Sequence, residues 1–222
     1  MKVCTDACLF GAMVSEYFKE TGINNMLDIG TGTGLLSLMF AQKNPDTFID
    51  AVEIDEAAAM QAVTNFQASP WKERLNIYNT SIQQFNHPAI KQYSLIVSNP
   101  PFFEKDLRSD DAKRNLALHS EELSFEELIE AAQKNIYPNG IFVVLLPFHR
   151  TFFFEELATK NNFCLYKKIS VKQTPAHNYF RSVLFFSRHQ SASAENEIII
   201  KTAQNQYSPE FTGLLKDYYL NL

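Results

Sequence analysis

Three of the seven glycines in this chain fall within five residues, as Asp28-Ile29-Gly30-Thr31-Gly32-Thr33-Gly34. The short apolar run Asn25 to Ile29 precedes them and a helical run, Leu35 to Gln42, follows. A strand that turns through glycines into a helix is the opening unit of a ligand-binding α/β fold, because glycine permits positive φ and lets a ligand approach bare backbone. The spacing is G-x-G-x-G, one residue shorter than the G-x-G-x-x-G of dinucleotide sites. A dinucleotide places its pyrophosphate on the later glycine. S-adenosyl-L-methionine has no phosphate and fits the shorter turn.

The rest of the chain alternates strand and helix signals, as a mostly parallel sheet with helices on both faces requires. Strands are expected at 47–54, 75–78, 93–97 and 141–146, and helices at 56–68, from Ser124 to about Tyr137, and at 151–161. Ser124 and Glu127 form a capping-box pattern, and Pro138-Asn139-Gly140 reads as a turn. The strands near 163–171 and 180–187 are joined by too few residues for a helical crossover, so they are expected to pair antiparallel. This gives a Rossmann-like sheet of seven strands ending in an antiparallel hairpin. One domain is expected over 1–222, comprising a cap helix within 1–24, a core over 25–190 and an extension over 191–222.

Two further motifs carry chemistry. Val52-Glu53-Ile54-Asp55 closes the second strand; Glu53 can accept both hydroxyls of an adenosine ribose, Ile54 can lie on the adenine, and Asp55 reads as a helix N-cap. Asn99-Pro100-Pro101-Phe102 follows the fourth strand, at the expected switch in strand order. An exocyclic adenine amine is a poor nucleophile, since its lone pair is delocalised into the ring. With Asn99 Oδ1 and the Pro100 carbonyl accepting its two N–H bonds, the lone pair turns toward a sulfonium methyl. Pro101 stiffens the turn, and Phe102 offers a face to an unstacked base.

The net charge of −5 at pH 7 speaks against a uniformly basic nucleic-acid face. The tract 163–189, however, holds Lys167, Lys168, Lys172, Arg181 and Arg188 and no Asp or Glu. Lys167, Lys168, Lys172 and Arg181, with Lys105 and Arg108 from the mixed-charge loop after Phe102, are candidates for phosphate contact. His177 and Tyr179 add rings beside Arg181. Cys4, Cys8 and Cys164 form no C-x-x-C pair and read as small buried residues, so no metal or disulfide is expected. Neither a membrane span nor a secretion signal is apparent, which makes the cytoplasm the expected location; the sequence does not fix the oligomeric state, and a monomer is the expectation.

Together the three motifs resemble the class I methyltransferases that act on exocyclic or amide nitrogens. The flanking segments narrow the resemblance. Met1-Lys2-Val3 with Thr5-Asp6, Asn65 with Ser69-Pro70-Trp71 and Glu73-Arg74-Leu75, and Asn115 to His119 resemble the bacterial enzymes that N6-methylate the adenosine beside the anticodon of valine tRNA. The resemblance implies a tRNA partner and a cofactor site drawn from Thr5, Asp28, Gly30, Gly32, Gly34, Glu53, Ile54, Ser81, Ile82 and Asn99. Where that family has an aspartate for the cofactor's adenine amine, this chain has Ser81, whose hydroxyl or a nearby carbonyl is expected to substitute. Three alternatives remain open at this stage. A protein-glutamine N5-methyltransferase or a DNA adenine methylase would present the same N–H pair, although each is expected to carry a recognition domain not found in this sequence. The third is a non-catalytic cofactor-binding partner subunit, which would have no use for the amine clamp.

Overall fold

Strand polarity and side-chain alternation organise the molecule, which we describe from a computed structural model covering residues 4–87, 89, 92–100, 123–189 and 192–220. The strands are β1 (Asn25–Ile29), β2 (Phe48–Glu53), β3 (Leu75–Asn79), β4 (Tyr93–Ser98), β5 (Ile136–Pro147), β6 (Cys164–Lys172), β7 (Tyr179–Ser187) and β8 (Ala194–Ile199). Among the described residues they form one sheet in the order β3-β2-β1-β4-β5-β7-β6-β8. Pairs from β3 through β5 are parallel. β7 enters between β5 and β6, antiparallel to both.

Runs that look uniformly apolar in sequence alternate in space. Val143 and Leu145 of β5 and Val183 and Phe185 of β7 enter one core; Phe142, Val144, Leu146, Leu184 and Phe186 enter the other. The first core packs under α1 (Thr5–Tyr17), α2 (Leu35–Lys43) and α6 (Pro209–Leu215), and also takes Phe66 of α3 (Glu56–Ala68). The second packs under α4 (Phe125–Asn135) and α5 (Thr151–Lys160). There the rings of Phe142, Phe154, Phe163 and Phe186 meet at centroid distances of 5.7–6.5 Å. The cluster takes four of the chain's 19 phenylalanines, each buried ring being worth roughly 1.5–3 kcal/mol.

Local signals hold where their chemistry is self-contained. Ser124 Oγ accepts from Glu127 N at 3.1 Å while Glu127 Oε2 accepts from Ser124 N at 2.8 Å, completing the capping box. Asp55 caps α3 through Ala58 N. Trp71 packs against the first core, and Arg74 donates to the carbonyls of Ala41, Asn44 and Thr47, binding the start of β3 to the α2–β2 connection.

Three features differ from expectation. The sheet has an eighth strand: β8 adds parallel to β6 at the edge, with Glu195 on Lys168 at 2.9 Å and Glu197 on Lys172 at 3.2 Å. Its residues Glu195 to Glu197 are polar and exposed, and only Ile198 packs against the first core, so no apolar alternation marks it as a strand. The expected turn Pro138-Asn139-Gly140 lies inside β5. Ile136 pairs with Tyr93 and Ile141 with Leu95, so the intervening residues bulge from the ladder instead of ending it. Finally, Cys8 is buried as expected but Cys4 is exposed, because it precedes the first turn of α1.

Candidate active site

The site is assembled by strand register. Ile29 at the end of β1 is level with Val52 of β2 on one side and Ser98 of β4 on the other. The next residues, Gly30, Glu53 and Asn99, therefore leave the carboxyl edge of the sheet side by side. This is the switch point, where the chain order runs β1-β2-β3 one way and β4-β5 the other. Ser98 Oγ donates to Ile29 O at 2.9 Å, and the Gly30 and Thr31 amides donate to Val52 O at 2.9 and 3.1 Å, locking the three ends together.

The glycine turn adopts the backbone its sequence predicts. Gly30, Gly32 and Gly34 have φ of 71°, 59° and 85°, in the left-handed region. A Cβ on Gly30 would project into open space, leaving backbone bare toward a ligand. A Cβ on Gly34 would lie 2.4 Å from the Phe66 ring, so this glycine is also required by packing. Asn65 of α3 donates to Thr33 O at 2.8 Å and clamps the turn from outside. Its residue type gave no hint of that contact, since Asn within a helix ordinarily faces water.

Asp28 is fully buried; its Oδ2 accepts from Thr31 Oγ at 2.6 Å and from Ser37 Oγ at 2.8 Å, bracing the turn against the first turn of α2. Its Oδ1 has no partner among the described residues. Burial raises the Asp28 carboxyl to about 6, opposed by the two hydroxyls, with the Glu53 charge adding to the rise. The folded chain thus holds this proton more tightly than an unfolded one. Stability falls as pH rises from about 4 to 6 and stays lower above, by about 3 kcal/mol. Asp28→Asn should keep the acceptor for both hydroxyls and remove this penalty. The ligand-free variant is expected to melt above the parent at pH 8, with the gap closing below pH 4 in thermal scans.

Glu53 is nearly buried and bridges the turn: Oε2 accepts from Gly32 N at 2.7 Å and Oε1 from Asp55 N at 2.9 Å. Asn79 Nδ2 donates to the carbonyls of Glu53 and Ile54, fixing this strand end from β3. Ile54 beside it is 56% exposed, an apolar side chain held at the mouth of the site as an adenine face requires. Ile82 is buried. The Ser81 hydroxyl accepts from Gln84 N at 3.3 Å, so its first duty is local turn capping. On the other flank, Asn99 is partly buried and its Oδ1 is a buried acceptor without a partner among the described residues. Pro100 is buried. Pro101, Phe102, Lys105 and Arg108 lie outside the described residues.

Thr5 is exposed at the start of α1, and Asp6 beside it accepts from Arg181 Nε at 2.8 Å. Arg181 pairs with Pro147 at the end of β5, so this ion pair brings the α1 N-terminus to the same edge as Asn99. Of the other cations considered for phosphate contact, Lys172 lies at this edge, against the Tyr179 ring and Glu197. Lys167 and Lys168 lie further toward the opposite end of β6. Lys167 covers the Tyr17 ring and Lys168 pairs with Glu155 and Glu195, so the structure does not bring these two together with the site. No described residues form a metal-ligand cluster, and no described helix is long and apolar enough to cross a membrane.

This arrangement suits S-adenosylmethionine: bare glycine backbone, an acid aimed across the turn, an exposed apolar face and two buried oxygens without a partner among the described residues, Asp28 Oδ1 and Asn99 Oδ1, on either side. Fold and site define a class I methyltransferase dependent on that cofactor. The chain belongs to the methyltransferase small domain family, which it matches over residues 11–151. It is 40% identical, over all of its length and 94% of the relative's, to the tRNA1(Val) (adenine(37)-N6)-methyltransferase of Flavobacterium johnsoniae. The protein of the same name from Pseudoalteromonas translucida is 39% identical, with 100% and 93% covered. Among solved structures, protein Atu636 of Agrobacterium tumefaciens, described as a predicted O-methyltransferase, aligns with a TM-score of 0.74 over 97% of this chain and 99% of its own. A TehB-like SAM-dependent methyltransferase from Corynebacterium glutamicum aligns at 0.55 over 81% and 88%. At 13% and 14% identity these two share the fold alone.

Removing the Glu53 carboxylate deletes the group expected to hold the ribose. Glu53→Ala should raise the cofactor dissociation constant about 10- to 100-fold, the scale of one or two charge-assisted hydrogen bonds. Calorimetry with S-adenosylhomocysteine measures this directly, and an unchanged affinity would remove the ribose assignment.

Proposed function

We propose that the chain methylates N6 of an adenine in RNA, and that its target is the one in its relatives' names, adenosine 37 of tRNA1(Val). The observation that carries this reading is the buried Asn99 Oδ1 beside the glycine turn, an acceptor with no partner among the described residues. An orphan acceptor inside a protein costs roughly 1–3 kcal/mol. A polar atom kept in that condition at a ligand site suits a donor that arrives with the substrate, and the adenine amine supplies two.

S-adenosylmethionine supplies an electrophilic methyl on a sulfonium. The chain's own contribution is positional. Glu53 and Ile54 orient the cofactor's adenosine end, and Asp28 and the glycine turn hold its amino-acid end. Asn99 Oδ1 and the Pro100 carbonyl would accept the N6 hydrogens and turn the nitrogen lone pair toward the methyl. No strong base is needed, because the amine proton becomes acidic as the new N–C bond forms. Ser81 and Thr5 complete the proposed cofactor contacts, Pro101 and Phe102 would brace and stack the base, and Lys105, Arg108, Lys172 and Arg181 would meet the backbone. A tRNA substrate also implies the cytoplasm as the working compartment.

The test is incubation with labelled S-adenosylmethionine and either total tRNA or total protein from cells lacking the enzyme, followed by nucleoside analysis. N6-methyladenosine in tRNA is the expected product. Label in glutamine of a protein, with none in RNA, would replace this reading.

A further inference from the structure

The carboxyl edge of the sheet carries aromatic rings that the core does not use. β5 continues three residues past Val144, which is level with Ser98, and Phe148 then opens a 3-10 turn, Phe148–Arg150, leading into α5. The turn stands about 10 Å beyond Asn99 along the strand direction, one strand over. Phe154 anchors α5 in the core at 0% exposure, whereas Phe152 is 71%, Phe153 46% and Phe148 36% exposed. Phe148 packs on Tyr179 at the start of β7, with ring centroids 5.0 Å apart.

Cations are interleaved with these rings. The Arg150 guanidinium lies 5.3 Å from the Phe125 ring and 5.4 Å from that of Phe153, and has no ion pair among the described residues. Lys172 lies 4.3 Å from the Tyr179 ring. Neither 147–154 nor 172–181 contains an Asp or Glu. Among the described residues, Asp6 pairs with Arg181 and Glu197 with Lys172 and Tyr179 at this surface.

Exposed rings beside fixed cations suit unpaired nucleotides, whose bases stack while their phosphates meet the charge. A protein partner's apolar face would instead desolvate the Arg150 guanidinium, which has no ion pair among the described residues. Resting on the RNA reading above, we propose that Phe148, Phe152, Arg150 and Tyr179 form a stacking platform for the unpaired nucleotides that flank the target adenine. It would hold the strand on the edge from which Asn99 reaches the flipped base, and so act on substrate binding more than on the chemical step.

The experiment uses the full chain with an unmodified anticodon stem-loop transcript carrying the target adenosine, measuring Kd by fluorescence anisotropy and kcat and KM by methyl incorporation. Phe152→Ala, an exposed change that should not disturb folding, is expected to raise Kd and KM about 5- to 150-fold, the equivalent of roughly 1–3 kcal/mol per stacked base. kcat and cofactor affinity should stay near the parent's. Phe152→Trp should restore binding and Phe152→Leu should not, since Leu keeps apolar area without a flat face. Parent-like Kd for Phe152→Ala, or full rescue by Leu, in an enzyme that methylates RNA would overturn the platform alone. A parent enzyme that methylates no RNA would overturn the platform together with the RNA reading.

Discussion

Asn99→Ala should lower kcat by about 10²–10³ while leaving cofactor affinity within a few-fold of the parent. Losing one preorganised hydrogen-bonding group aimed at the reacting atom costs about that much in enzymes whose chemistry is mainly electrostatic positioning. The side chain suits that role because its Oδ1 is buried and has no partner among the described residues. Single-turnover methylation beside calorimetry with S-adenosylhomocysteine separates the two effects. Equal loss of turnover and cofactor binding would move Asn99 into the cofactor contacts. Asn99→Asp, which keeps an oxygen at the same reach, should retain more activity than Asn99→Ala.

Gly34→Ala should be the most damaging single-methyl change in the glycine turn. Two costs add there: a left-handed φ of 85°, disfavoured by about 1–2 kcal/mol for a residue with a Cβ, and a new carbon 2.4 Å from the Phe66 ring. Overpacking of a filled core adds about 1–3 kcal/mol, because Phe66 is buried and has little room to retreat. For a chain of this length the combined loss should lower Tm by about 5–15 °C. Gly30→Ala offers the contrast. Its φ is also positive, but its Cβ would meet nothing, so it should cost only the conformational part and act chiefly on cofactor binding. In a double-mutant cycle, Phe66→Leu should recover part of the Gly34→Ala loss and none of the Gly30→Ala loss. Equal melting temperatures for the two alanine variants would remove Phe66 from the account.

The local geometry of the candidate site was legible in the sequence because it is written in short runs. Gly30, Gly32 and Gly34 declare their backbone by lacking a Cβ, Glu53 and Asp55 sit where a strand must end, and Asn99-Pro100 cannot continue one. Ser124 and Glu127 announce a helix start by pairing with each other's backbone. Such features depend on neighbours within a turn or two of chain, so residue identity and spacing suffice to read them.

What the sequence by itself determined is therefore the set of local geometries: the turn, the caps, the strand ends and the kinds of atom each presents. Tertiary structure decided which distant residues complete them. Asn65 clamps Thr33, Asp6 holds Arg181 at the edge of β7, and β8 is recruited by Glu195 and Glu197 to lysines of β6. It also divided one acid-free tract, leaving Lys172 and Arg181 at the carboxyl edge of the sheet and placing Lys167 and Lys168 farther down the strand. The reason is one of range. A hydrogen bond or ion pair between residues 25 to 175 positions apart is selected by register and packing, which the whole sheet sets together and no short run of sequence encodes.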